Sequence, residues 1–132
     1  MKQTEYKVDG RTLCVLLESE IDHHHVKDII DEIRRKGNMN FSKNIVFDFS
    51  KVNFMDSSAI GLMMEAYKRT SCVGGNVLVK NISMRGYRAF QMAGILKFIS
   101  VEDGNSDWDK RYALSLVGRD LDSVEDTKQI EI

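Results

Sequence analysis

Asn44–Gly61, written NIVFDFSKVNFMDSSAIG, carries the chain from a strand into a helix. Its first six residues, Asn44–Phe49, are nearly all apolar, which suits a strand buried on both faces of a sheet. A helix is expected over Ser57–Ser71, where Ile60, Met63, Met64 and Tyr67 fall at i, i+3, i+4 and i+7 and read as its core face. Between the two lies Phe54-Met55-Asp56-Ser57-Ser58, so a carboxylate and two hydroxyls stand where the helix begins. Backbone N–H groups at a helix start lack intrahelical partners and favour negative charge. A serine there either caps the helix or offers a place for a phosphate to be added and removed. Taken alone, Asp-Ser-Ser before a helix reads first as a cap.

Upstream, Thr12–Leu17 (TLCVLL) is rich in aliphatic residues and follows the turn signal Asp9-Gly10; with Tyr6 and Val8 it predicts a β-hairpin. Val26, Ile29, Ile30 and Ile33 define one apolar face of a first helix. Arg34, Arg35 and Lys36 fall in its expected last turn, with Gly37 as the stop. Downstream, Gly74-Gly75 end the second helix and Asn76–Val79 form a strand. Met84–Ala93 predicts a third helix with Tyr87, Phe90 and Ala93 inward, stopped by Gly94. A last strand is expected over Leu96–Val101. Ser106 or Asp107 then caps a fourth helix carrying Trp108, Tyr112 and Leu116. Strand and helix alternate from residue 12 onward, which implies crossovers above a mostly parallel sheet. Residues 119–132 hold five acids, two bases and few apolar side chains, and read as a frayed tail or short mobile helix.

The length of 132 residues suits one domain with a real core. A hydrophobic share of 42% with 30% charged residues places the chain among soluble globular proteins. A formal net charge of −1 supplies no global attraction to nucleic acid or to a membrane surface. No apolar run is long enough to span a bilayer, and the start, MKQTEYKVDGRTLCV, lacks a signal-peptide core. A cytoplasmic protein is expected. Cys14 and Cys72 are far apart, belong to no CxxC pair and read as structural thiols.

His23-His24-His25 invites a metal reading, but adjacent helix positions diverge by about 100° and cannot converge on one ion. An exposed first turn capped by Asp22 fits better, with Asp22 and the histidines open to a partner. No metal and no cofactor are expected. Neither GxxxxGK[ST] nor GxGxxG is present. Ser57 lacks a GxSxG context, and the only histidines are those at 23–25. Lys68, Arg69, Arg85 and Arg88 read as solvated helical charges, with a phosphate or an acidic partner as the other possibility.

Three segments taken together resemble the anti-sigma factor antagonist family, whose fold is the STAS domain. Asn44–Gly61 is similar to the family's apolar strand, F-x-D-S-S turn and small-residue helix start. Glu20-Ile21-Asp22-His23-His24 is similar to its E-L-D segment, with His23-His24 nearest to the sporulation members. Phe90-Gln91-Met92-Ala93-Gly94-Ile95-Leu96-Lys97-Phe98 is similar to its F-x-x-x-G-L-x-K stretch. The resemblance covers about residues 3–117. It implies an α/β STAS fold over residues 1–118, with a mostly parallel central sheet, an N-terminal hairpin and about four helices; 119–132 is an acidic tail. It also implies a regulator and not an enzyme. The unphosphorylated protein would bind an anti-sigma factor that is also a serine kinase of GHKL-type ATPase fold, releasing a sigma factor. The kinase would then phosphorylate Ser57, and a PP2C-type phosphatase would reverse the step. Met55, Asp56, Ser58, Ala59, Ile60 and Gly61, with Asp22 and His23, would form the docking surface. No direct contact with nucleic acid or membrane is implied. Where many relatives have Gly-Leu after the serines, this chain has Ala59-Ile60, a stiffer turn by about 1 kcal/mol of helix propensity. Two other functions remain open to the residues: a STAS module that senses a ligand or scaffolds a larger complex, and a small enzyme with Ser57 as nucleophile.

Overall fold

The structure, a computed structural model, describes residues 3–102. Asp9 and Thr12 pair across a two-residue turn in which Gly10 takes φ +62°, joining β1 (Glu5–Asp9) to β2 (Thr12–Leu16) as an antiparallel hairpin. From β2 onward the central sheet is parallel. Its order is β1-β2-β4-β6-β7, with β4 at Asn44–Asp48, β6 at Val77–Lys80 and β7 at Ser100–Glu102. Three α-helices lie among the described residues: α1 (His23–Asn40), α2 (Ser58–Cys72) and α3 (Met84–Met92). The expected fourth helix and the tail lie outside the described residues. No helix among the described residues is long and apolar enough to cross a membrane.

Register puts the apolar residues of the sheet into rows. Leu13 is level with Ile45 and Val77, and Val15 with Phe47 and Val79; all six are at most 2% exposed. Alternate residues share a face of a strand, so these rows form one wall of the core. Val26, Ile29 and Ile33 of α1, and Leu62, Met63 and Ala66 of α2, are buried with them. Phe90 of α3 meets Phe49 edge to face, with ring centroids 5.8 Å apart. Full burial of each such side chain contributes about 1.5–3 kcal/mol.

Several expectations are corrected. Helix α1 does not stop at Gly37 but continues to Asn40, so Arg34, Arg35 and Lys36 lie before its last turn. Gly37 serves packing: a β-carbon there would strike the Arg69 guanidinium, which reaches over from α2 to bond Asn38 at 2.8 Å. The stop is Phe41, in the left-handed region at φ 54°, with the Ser42 N–H donating back to the Gly37 carbonyl at 2.9 Å. In α2 the buried stripe is Ala59, Leu62, Met63, Ala66 and Thr70, while Ile60, Met64 and Tyr67 are only half-buried. Ala93 lies just beyond α3 and is exposed. The last strand starts later than expected, because Ile95–Lys97 form a 3₁₀ turn after Gly94, which has φ 77°. Cys14 is half-buried and Cys72 exposed, so Cys72 is no core thiol.

Candidate functional site

A second, two-stranded sheet builds the site. β3 (Glu20–Ile21) runs parallel to β5 (Phe54–Met55), with Ile21 level with Met55. The Asp56 N–H donates to the Ile21 carbonyl at 3.1 Å, and Asn53 and Phe54 donate to Ser19. α1 and α2 therefore start side by side, each directly after one of these strands. Asp22 precedes one helix and Asp56 the other. Two residues are too short a strand for periodicity to reveal, so only the pairing shows how 20–22 meets 54–56.

Both aspartates act as caps. Asp22 Oδ1 accepts from the N–H groups of His24 at 3.0 Å and His25 at 3.2 Å, and its carbonyl accepts from Val26 at 3.0 Å. The His25 ring turns back to Asp22 at 2.7 Å and to Glu18 at 3.3 Å. Desolvation works against the Asp22 carboxylate, but the hydrogen bonds and charge of His25, with the His24 N–H, outweigh it. Its pKa therefore lies below the ordinary carboxylate value. His23 and His24 are exposed and their rings lie against each other, with centroids 4.0 Å apart and a tilt of 38°, while the His25 ring turns away to Asp22 and Glu18. Among the described residues, no group of three or more His, Cys, Asp or Glu is placed to hold a metal ion.

At α2 the cap is Asp56 and not a serine. Its Oδ1 accepts from the Ser58 N–H at 2.8 Å, and its carbonyl accepts from Ala59 at 3.0 Å. The Ser57 carbonyl receives Ile60 at 3.1 Å and Gly61 at 3.4 Å. The four N–H groups of residues 58–61 are thus already engaged. Ser57 has helical backbone angles, makes no capping bond through its side chain and is exposed. Its hydroxyl has no part in holding the helix start.

The candidate residues fall into two groups. His23, Ser58 and Gly61 line an open groove of roughly 500 Å³ between α1 and α2, with Val26, Ile30 and Glu65. Its rim charges pair within the chain, Lys27 with Asp31 at 3.4 Å and Arg34 with Glu65 at 3.5 Å. Met55 faces elsewhere. With Phe54, Ile82 and Arg85 it lines a cleft of roughly 300 Å³ beside α3. Ala59 is 1% exposed and belongs to the core, so it offers no side chain to a partner. Of the basic residues, Lys68 pairs with Glu65 at 3.4 Å and Arg69 with Asn38, so neither is aimed at the helix starts. Arg85 borders the second cleft, and Phe54, 53% exposed at its mouth, was not singled out from the sequence. In the sequence Phe54 stands only as the aromatic of the F-x-D-S-S turn, and nothing in that pattern marks its exposure.

A hairpin-led parallel sheet, with two aspartate-capped helix starts held together by a short second sheet, defines a small α/β domain. Residues 3–107 match the STAS domain. The chain belongs to the STAS-domain family of anti-sigma factor antagonists. It is 30% identical over 105 residues to the anti-sigma F factor antagonist of Paenibacillus polymyxa, covering 76% of this chain and 86% of that protein. Identity to the anti-sigma F factor antagonist of Lysinibacillus sphaericus is 28%, over 67% of this chain and 75% of the relative. Among solved structures, the unphosphorylated antagonist SpoIIAA superposes with a TM-score of 0.68 at 27% identity, covering 81% of this chain and 90% of that one. Bacillus SpoIIAA in its phosphorylated form superposes with a TM-score of 0.63 at 27% identity, over 81% and 94% of the two chains.

Proposed function

We propose that this chain binds an anti-sigma factor to release a sigma factor, and that phosphorylation of Ser57 ends the binding. The anti-sigma factor would itself be the serine kinase, of GHKL-type ATPase fold, and a PP2C-type phosphatase would restore the free hydroxyl. The chain is then a substrate and a binding protein, at work in the cytoplasm in a sporulation-type programme, with the domain at 1–118 and the acidic tail at 119–132. The observation that carries this is the state of Ser57: exposed, at a helix start, and free of any capping duty. A kinase can take such a hydroxyl without undoing α2. The similarity to SpoIIAA, solved in both unphosphorylated and phosphorylated forms, supports the same assignment.

The electrostatics favour exclusion of the partner over a change of shape. Phosphate adds about −1.5 to −2 charges. A helix start favours them, but the N–H groups of 58–61 are already bonded, and Asp56 and Asp22 add negative charge at the same end. The phosphate therefore stays in solvent, where a partner closing over Ser57 must desolvate it. A loss of about 1.4 kcal/mol already weakens binding tenfold.

The test is incubation with ATP and the purified cognate anti-sigma factor, followed by mass-spectrometric site mapping. One phosphate is expected on Ser57, and none on the Ser57→Ala variant, which keeps its binding. Phosphate on Ser58 of the unaltered chain would overturn the assignment.

A further inference from the structure

Helix α2 contains a glycine for which the chain itself has no use. Seven glycines lie among the described residues. Gly10, Gly74 and Gly94 have positive φ, and a β-carbon on Gly37, Gly75 or Gly86 would strike Arg69, Lys43 or Ile82. Gly61 differs from all of them. It sits inside α2 with no positive φ, and a β-carbon there would meet nothing within 4 Å. Glycine weakens a helix interior relative to alanine. The fold therefore carries a helix-weakening residue where a side chain has ample room.

Gly61 is exposed, stands one turn from Ser57, and lines the α1–α2 groove with Ser58, Val26 and Ile30. We infer that Gly61 is a close-approach point, where a segment of the anti-sigma factor crosses α2 against bare backbone and lies over this groove. The occupant is the anti-sigma factor because the groove is continuous with the Ser57 surface through Ser58; the inference rests on the docking proposed above. Its chemistry follows from the lining. The rim charges are paired within the chain, at 3.4 Å for Lys27–Asp31 and 3.5 Å for Arg34–Glu65, and need no counter-charge. The half-buried Ile30 and the bare backbone of Gly61 fit a segment of small and apolar side chains.

The inference sets stability against affinity. Gly61→Ala and Gly61→Leu are both expected to raise the melting temperature of the isolated chain, since both residues favour helix. Both are expected to weaken calorimetric binding to the purified cognate anti-sigma factor, Ala about tenfold and Leu on the order of a hundredfold. Ser57→Asp is titrated in parallel. If Ser57→Asp binds weakly while both Gly61 variants bind as the unaltered chain does, the close approach is refuted and the docking at Ser57 stands. If all three bind unchanged, the docking itself fails. A lowered melting temperature for Gly61→Ala would show a role for the glycine inside the fold and equally overturn the inference.

Discussion

Replacing Asp56 and Ser57 one at a time separates the two roles that Asp-Ser-Ser can play. Asp56 Oδ1 accepts the Ser58 N–H at 2.8 Å. Losing such a cap costs about 1 kcal/mol, and losing a negative charge at a helix start adds about 0.3–1 kcal/mol. Asp56→Ala should therefore cost roughly 1–2 kcal/mol, a fall of about 4–8 °C in melting temperature for a domain of this size. Asp56→Asn keeps an acceptor but loses the charge, and should recover about half of that. Ser57 makes no capping bond and is exposed, so Ser57→Ala should stay within about 0.5 kcal/mol of the parent. Thermal and urea unfolding followed by circular dichroism measure all three variants in the unphosphorylated state. A Ser57→Ala melting temperature as low as that of Asp56→Ala would refute the reasoning. It would show the serine hydroxyl holding α2, and a kinase could then modify it only by loosening the helix.

The inward face of α2 is open to a similar comparison. Leu62, 0% exposed, should cost about 2–5 kcal/mol when cut to alanine, while the half-buried Met64 should cost clearly less; equal urea midpoints would contradict the buried stripe. The other helix start predicts a pH effect. Because the folded Asp22 pKa is lowered, its contribution is present above the unfolded value of 3.8 and is lost as pH falls through the lower folded value. The stability gap between the parent and Asp22→Asn should therefore close as pH drops from about 5 to about 2. A gap that is constant with pH would show that the carboxylate charge takes no part.

Much of the fold was legible along the chain. The hairpin turn at Asp9-Gly10, the apolar run at 44–49 and the strand–helix alternation all depend on neighbours a few residues apart, which sequence patterns record well. The second sheet was not legible, because β3 and β5 are two residues each and their level residues, Ile21 and Met55, stand 34 positions apart in the chain (55 − 21). Helix ends were misplaced where packing overrode local preference. Gly37 looks like a stop by composition, yet its lack of a side chain is needed by Arg69 of α2. The apolar face of α2 was displaced by one residue because it has apolar side chains on two adjoining faces, and periodicity alone cannot say which of them the sheet covers.

The sequence by itself determined that 54–61 joins a strand to a helix and that Asp22 caps another helix, since both follow from local hydrogen-bonding chemistry. It also contained the segments by which the family is recognised. Only the tertiary structure decided which residue does the capping before α2, and that α1 and α2 start together. Whether Asp56 or Ser57 caps depends on backbone angles at 56–58, and these are set by the pairing of Met55 with Ile21 across the small sheet. That pairing leaves the Asp56 carboxylate on the Ser58 N–H and the Ser57 hydroxyl in solvent.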